Sequence, residues 1–201
     1  MKNTFCESSC ISRCEKPLRV FSLLFVRAMR VDGGYMVEIF VEVCREDAVL
    51  PRYANPGDAG MDVYAAEEII IAPGETVVVP TGLKLAIPEG YEIQVRPRSG
   101  LSLKTPIRIP NSPGTIDSGY RDELGIIVNN NSDKSLCEKD MDPYTLDEKG
   151  NKSGAYVIRK GDRIAQIVLQ VVPKMVLTQV SSVKDIGTNR GGGFGSTGVT
   201  D

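Results

Sequence analysis

From Met36 onward, apolar and polar residues alternate with a period of two. Val37, Ile39, Val41 and Val43 fall on one side, and Glu38, Phe40, Glu42 and Cys44 on the other. This is the pattern of a strand with one buried face. Short β-rich runs follow: Met61–Ala65, Ile69–Ile71, Thr76–Val79, Leu83–Ile87, Tyr91–Val95, Ile107–Ile109, Leu124–Asn129, Ala155–Arg159, Arg163–Val172 and Met175–Val180. Turn chemistry separates them at Asn55-Pro56-Gly57-Asp58, Pro73-Gly74, Pro88-Glu89-Gly90, Ser112-Pro113-Gly114 and Lys160-Gly161-Asp162. Regular short strands with such punctuation predict an all-β sandwich or barrel. One short helical turn is expected around Leu101–Thr105, and no long amphipathic helix after residue 36.

Three stretches depart from this rhythm. Residues 130–154 are polar and charged, and read as a solvated surface insertion between two strands. Residues 187–201 are Gly-rich with one aromatic, Phe194, the composition of a flexible arm. Residues 1–35 are set apart as an N-terminal extension outside the core. They are basic and acid-poor, as transit peptides are, and equally suit a leader preceding a start at Met29 or Met36. The apolar run Leu23-Leu24-Phe25-Val26 is far shorter than the ~20 residues of a membrane span. The division predicted is therefore 1–35, a β domain over 36–186, and an arm over 187–201.

Composition narrows the chemistry. A length of 201 residues suits one domain with a core of its own. The net charge is -2, so no broad basic field holds a nucleic acid. Histidine is absent, which excludes a Ser-His-Asp triad, a Cys-His protease and a His-ligated zinc site. Acid–base work must fall to a carboxylate, Lys, Tyr or Cys. Five cysteines, an odd count, suggest reduced thiols and a cytoplasmic setting. Cys6, Cys10 and Cys14 suit a thiol-bearing tail better than a metal site, because no fourth ligand is evident.

Five segments carry more chemistry than strands need: Ala59-Gly60-Met61-Asp62, Arg96-Pro97-Arg98-Ser99-Gly100-Leu101-Ser102, Asn111-Ser112-Pro113-Gly114-Thr115-Ile116-Asp117-Ser118-Gly119-Tyr120-Arg121, Gly161-Asp162-Arg163-Ile164-Ala165-Gln166, and Arg190-Gly191-Gly192-Gly193-Phe194-Gly195-Ser196-Thr197-Gly198. Arg98, Ser99 and Gly100 supply a guanidinium fork, a hydroxyl and an open backbone N–H, a set suited to phosphate. The glycines after Arg190 can form an anion nest, with Phe194 free to stack on a planar group. Asp117 can activate water, and the Tyr120 ring can pack on a sugar. Taken singly, each has a bland reading: an ordinary turn at Arg98, a turn-capping Asp117 or Asp62, a loose Gly-rich tail.

In combination and in this order, the five segments closely resemble the motifs of the trimeric dUTP pyrophosphatase (dUTPase) family, from about Ala48 to Gly198. The resemblance implies a jelly roll-like β-barrel, a homotrimer with sites at subunit interfaces, and hydrolysis of dUTP to dUMP and pyrophosphate with Mg²⁺. It implies that Asp117 is the catalytic carboxylate. Tyr120 would lie under the deoxyribose. Asn111 and the backbone of Gly114, Thr115, Ile116 and Asp117 would read uracil in a hairpin closed near Gly125. Arg98, Ser99, Gly100 and Gln166 would contact phosphates. Arg190, Phe194, Gly195 and Ser196 would close over the substrate as a C-terminal arm. The metal would have no direct protein ligand, with Asp62 supporting its water shell or the site's structure. No nucleic acid or membrane partner is implied.

Four features differ from the usual motifs. Three residues separate Arg190 from Phe194 where four are usual, Asp122 replaces a common Gly, Gly119 replaces a common acid, and the 130–154 insertion is atypical. Three alternatives remain at this level: a dCTP deaminase-type relative, a non-catalytic nucleotide-binding module, and a broad nucleoside triphosphate pyrophosphatase.

Overall fold

A computed structural model of the chain describes residues 28–31, 34–136, 142–148 and 150–192. Strands dominate. They are β1 (Ala28–Val31), β2 (Gly34–Val37), β3 (Phe40–Val43), β4 (Met61–Tyr64), β5 (Ile69–Ile71), β6 (Thr76–Pro80), β7 (Leu83–Ala86), β8 (Tyr91–Arg96), β9 (Ile107–Arg108), β10 (Gly114–Ile116), β11 (Gly125–Asn130), β12 (Tyr144–Thr145), β13 (Tyr156–Ile158) and β14 (Arg163–Val171). Helix is confined, among the described residues, to α1 (Ser99–Lys104) and a 3-10 turn at Lys134–Leu136. The order β10-β8-β14-β4 makes one sheet, β6-β11-β9 a second and β12-β13-β5 a third, with pairs β3-β7 and β1-β2 beside them. The fold is an all-β, jelly roll-like barrel.

Period-two patterning fills its interior. β11 buries Ile126, Val128 and Asn130 and turns the residues between them outward. β8 buries Ile93 and Val95, and β7 buries Leu83 and Leu85. Ile126, Val128, Ile93, Val95 and Leu85 meet Val63, Ile71, Val79, Tyr156 and Ile158 in one core, whose removal from water is the main stabilising force. β14 breaks the alternation. Ile164 and Ala165 are adjacent and both fully buried, because a bulge between Arg163 and Ala165 shifts the register against β4.

Four expectations change. The strand read over 36–44 is split at Glu38-Ile39, and all four residues of β3 are exposed in the single chain, since β3 pairs with β7 alone. The division at residue 35 falls inside the β1-β2 hairpin, where Arg30 pairs with Tyr35 and Ala28 with Val37. Met175–Val180 forms no strand; Met175, Val176 and Leu177 are exposed and no ladder partner lies alongside. The 130–154 insertion is anchored rather than loose. Its β12 runs parallel to β13, the Tyr144 and Tyr156 rings lie 5.5 Å apart, and burial pushes the Tyr156 phenol up to about 12.

Asn130 explains the anchoring. Its amide Nδ2 donates to the carbonyls of Ile71 (3.0 Å) and Gly154 (2.8 Å), and its Oδ1 accepts from the Ser132 hydroxyl (2.7 Å) and backbone N–H (3.1 Å). The side chain is completely buried and fully satisfied. Asn130→Ala strands these partners and opens a polar hole. We expect it to lower unfolding stability by about 2–4 kcal/mol, read as a fall in urea midpoint.

Candidate active site

The site is organised around a buried carboxylate. Asp62 lies mid-strand on β4 and is 3% exposed. Its Oδ1 accepts the Arg98 Nε–H at 2.9 Å, and its Oδ2 accepts Arg163 Nη1 at 3.1 Å. The Gln166 amide is 3.4 Å from Oδ1. One buried anion therefore fixes two guanidiniums and an amide, each with other donor atoms left for a ligand.

Strand geometry puts them together. Arg98 follows the end of β8 as the residue preceding α1. Gln166 sits opposite Asp62 on one side of β14 and opposite Arg96 on the other. Arg163 is three residues before Gln166, which in a regular strand would place the two on opposite faces. The bulge absorbs the odd residue, so Arg163 pairs with Tyr64 while Gln166 pairs with Asp62. Both side chains then reach the same carboxylate. Gly60 allows the close approach, since a Cβ there would come 3.3 Å from Val168 and 3.4 Å from Gln166.

Two clefts border this assembly. One of about 730 Å³ is lined by Arg52, Tyr53, Ala54, Asp62, Tyr64, Gly161, Asp162 and Arg163. A second of about 320 Å³ is lined by Arg98, Gly100, Leu101, Lys104, Leu146, Asp147, Asp162 and Arg163. Two of the latter, Leu146 and Asp147, come from the insertion, which also donates the Asn151 N–H to the Lys104 carbonyl at 2.8 Å. Asp147 accepts a short hydrogen bond from the Thr145 hydroxyl, which holds its carboxyl below the usual range.

The 111–125 residues form a separate cluster that does not line these clefts. Gly114, Thr115 and Ile116 pair with Val95, Gln94 and Ile93 of β8. The Asn111 amide folds back over Gly114, whose Cβ would meet it at 3.2 Å. Asp117 is exposed and its carboxylate has no hydrogen-bond partner among the described residues. Tyr120 is half-exposed and its hydroxyl donates to the Glu123 carbonyl at 2.9 Å. Burial alone would raise the Glu123 carboxyl, but hydrogen bonds from Arg45 and the Gly82 N–H outweigh it and hold it below its ordinary value. The return strand expected to close a hairpin with β10 pairs instead with β6 and β9. Gly125 lies opposite Pro80, and a Cβ there would come 2.5 Å from Val78 Cγ1. Its smallness thus serves barrel packing.

Ser99 and Gly100 open α1 and are exposed. Arg190 is exposed with no side-chain partner among the described residues, and Phe194, Gly195 and Ser196 lie outside them. So do Cys6, Cys10, Cys14 and Cys137, while Cys44 is a free thiol. Arg163, Lys104 and the Leu146-Asp147 turn are site features that sequence reasoning passed over. Arg163 stood inside a quoted segment, but alternation concealed its side.

The dUTPase family profile matches residues 46–140. The deoxyuridine 5'-triphosphate nucleotidohydrolase of Clostridium tetani (strain Massachusetts / E88) is 40% identical over 159 residues, covering 79% of this chain and 94% of that protein. That of Zymomonas mobilis subsp. mobilis is 46% identical over 150 residues, covering 74% and 88%. The chain belongs to the dUTPase family. The fold agrees: the dUTPase of Staphylococcus bacteriophage 80alpha with dUPNHPP superposes with a TM-score of 0.68 at 32% identity, covering 81% of this chain and 99% of that one. The dUTPase from phage phi11 of S. aureus, a mutant described with a structural Mg(II) ion, gives 0.66 at 31% identity, covering 73% and 99%. This dUTPase is accordingly a nucleotide hydrolase that acts on dUTP. No helix among the described residues is long and apolar enough to cross a membrane.

Asp62→Ala tests the hub. It leaves two guanidiniums without their shared anion, and Arg163 keeps more access to water than Arg98. We expect a loss of about 2–3 kcal/mol in unfolding stability together with a raised KM for dUTP. An unchanged denaturation midpoint would mean that solvent already satisfies both arginines.

Proposed function

We propose that this dUTPase hydrolyses dUTP by attack of a carboxylate-activated water on the α-phosphorus. The observation that carries the phosphate half of this reading is the pair of guanidiniums, Arg98 and Arg163, locked on buried Asp62 beside the Gln166 amide. Because Asp62 pre-orients them, little ordering is left for the moment of binding. Ser99 and Gly100 complete the phosphate contacts. Asp117 takes the proton of the attacking water as its oxygen bonds to the α-phosphorus. The bond from that phosphorus to the bridging oxygen breaks, and pyrophosphate leaves. Its exposed carboxylate, free of internal partners, is available for that water.

Asn111 and the backbone of Gly114, Thr115, Ile116 and Asp117 read uracil, with Gly125 at the edge of the same segment. The Tyr120 ring packs under deoxyribose and rejects a 2′-hydroxyl by contact. Arg190, Phe194, Gly195 and Ser196 close over the nucleotide as a Gly-rich arm spanning 187–201, which shields the reaction from bulk water.

Both Asp62 oxygens face guanidiniums, a lining that suits the anionic triphosphate rather than a bare cation. A Mg²⁺ would therefore arrive on the triphosphate with its waters and, bound there, would neutralise phosphate charge. Asp62 then serves the site by holding arginines in place.

We further propose a homotrimer with sites at subunit interfaces. The separation of the Asp117–Tyr120 turn from the Arg98 clefts supports it, as does the exposed apolar run at Met175, Val176 and Leu177. The catalytic barrel runs to residue 186 in this reading, and the boundary at residue 35 is dropped because the β1-β2 hairpin, Ala28–Val31 with Gly34–Val37, spans it. The enzyme works in the cytoplasm, supplying dUMP for thymidylate synthesis and keeping uracil out of DNA.

Pyrophosphate release measured with Mg²⁺ from dUTP, UTP, dTTP and dCTP in parallel should be strong for dUTP alone. Asp117→Asn should lower kcat by about 10³-fold while leaving the affinity for a non-hydrolysable dUTP analogue intact. Comparable turnover of dTTP or dCTP would refute the uracil reading, and full activity of the Asn variant would refute the base.

A further inference from the structure

Residues 117–124 carry the base and the sugar-facing ring, yet belong to no strand or helix. β10 ends at Ile116 and β11 begins at Gly125, in a different sheet. Glu123 ties this turn to the barrel wall. Its Oε1 accepts the Gly82 N–H at 2.8 Å and the Arg45 Nε–H at 2.7 Å. Its backbone carbonyl accepts the Tyr120 hydroxyl at 2.9 Å. One residue thus grips the ring through its main chain and the barrel wall through its side chain.

The wall it grips is itself rigid. Gly82 has φ +71°, and a Cβ there would lie 2.5 Å from Ala48 Cβ and 3.0 Å from Arg45 Cβ. Only glycine fits this turn, so the direction of its N–H is fixed. Arg45 is pinned from its far side by Glu67 at 2.9 Å. Next to Glu123, the Leu124 N–H donates to the Leu83 carbonyl at 2.8 Å, and the Thr81 hydroxyl donates to the Leu124 carbonyl at 2.7 Å. Within the turn the Tyr120 N–H donates to the Asp117 carbonyl at 3.1 Å and Arg121 Nη1 donates to the carbonyls of Ser118 and Tyr120, but the Tyr120 side chain has no other hydrogen bond among the described residues, and the Asp117 side chain has none.

We propose that Glu123 is a positioning residue for sugar discrimination. By fixing the turn against Gly82 and Arg45, it sets the height of the Tyr120 ring and so the rejection of a 2′-hydroxyl. Telling dUTP from UTP by contact means refusing one oxygen atom. That demands a ring located within about 0.5 Å, which a half-exposed tyrosine on an unpaired turn cannot supply unaided. The inference rests on the reading of Tyr120 given above.

The test is the ratio of kcat/KM for dUTP to that for UTP, measured with Mg²⁺ on the full chain. Glu123→Ala, which loses both side-chain bonds, should lower the ratio by about tenfold or more. Glu123→Gln keeps an acceptor for Gly82, and Arg45→Met leaves the Gly82 bond untouched; both should lower it less. A role in stability alone would shift the melting temperature of Glu123→Ala and leave the ratio where it was, and that result overturns the inference. If Glu123→Ala does not fold, Glu123→Asp, one methylene too short to span both partners, carries the same expectation and the same overturning result. Tyr120→Ala is run alongside. If it lowers the ratio and the Glu123 variants do not, the positioning inference alone falls. If it leaves the ratio unchanged, the reading of Tyr120 falls and takes the inference with it.

Discussion

A carboxylate buried in a β-barrel must find cationic or donor partners or lose its charge. Asp62 finds three, and they come from two distant parts of the chain: Arg98 after β8, and Arg163 and Gln166 from the two sides of the β14 bulge. The need to satisfy one anion therefore brings distant segments into register. The same need exposes the outward donors of two guanidiniums to a cleft. In this molecule the packing of Asp62 and the aim of the cleft's donors are coupled, because moving either arginine to improve packing would also move a guanidinium that lines a cleft.

The arginines around Asp62 and the turn bearing Asp117 are held in different ways. Arg98, just after β8, and Arg163, at the start of β14, are held by ion pairs to the buried Asp62 carboxylate. Asp117 and Tyr120 sit on a segment without a ladder, held by side-chain and main-chain bonds around Glu123. On the proposed reading, donors that must be in place before substrate arrives gain from the stiffer support, while a base and a ring that meet the nucleoside from another direction need a support that leaves their faces open, as those of Asp117 and Tyr120 are in one chain.

Much of the barrel was legible because its strands are amphipathic. Ile69–Ile71 was read to the residue, and the runs at 76, 83, 91 and 125 were read to within a residue or two, since each is a short apolar or alternating run set between turn formers. The failures have physical causes. Local pattern cannot tell whether a neighbour exists, so Met175–Val180 looked like a strand although nothing pairs with it in one chain. The 36–44 alternation was real, but its apolar face at Val41 and Val43 stays exposed here. A bulge adds a residue without leaving a compositional mark, so nothing in the sequence put Arg163 on the same side as Gln166. Gly125 looked like a hairpin closure, whereas the contact that demands a glycine is Val78, visible only once β6 and β11 are paired. For the candidate site, the five motifs named Arg98, Asp62 and Gln166, but Lys104 and the Leu146-Asp147 turn needed three-dimensional proximity.

The two ends of the insertion meet. The Asn130 amide and the Gly154 carbonyl are 2.8 Å apart, and the Ser132 hydroxyl bonds the same carbonyl. A loop whose ends are already clamped changes its closure entropy only logarithmically with the number of residues it contains. Chain can therefore be added or removed beyond this clamp at small thermodynamic cost, while the barrel behind it keeps its register. Since Leu146 and Asp147 also border the Arg98 cleft, a change of length at this one point reshapes the rim of that cleft without touching Arg98, Arg163 or Asp62.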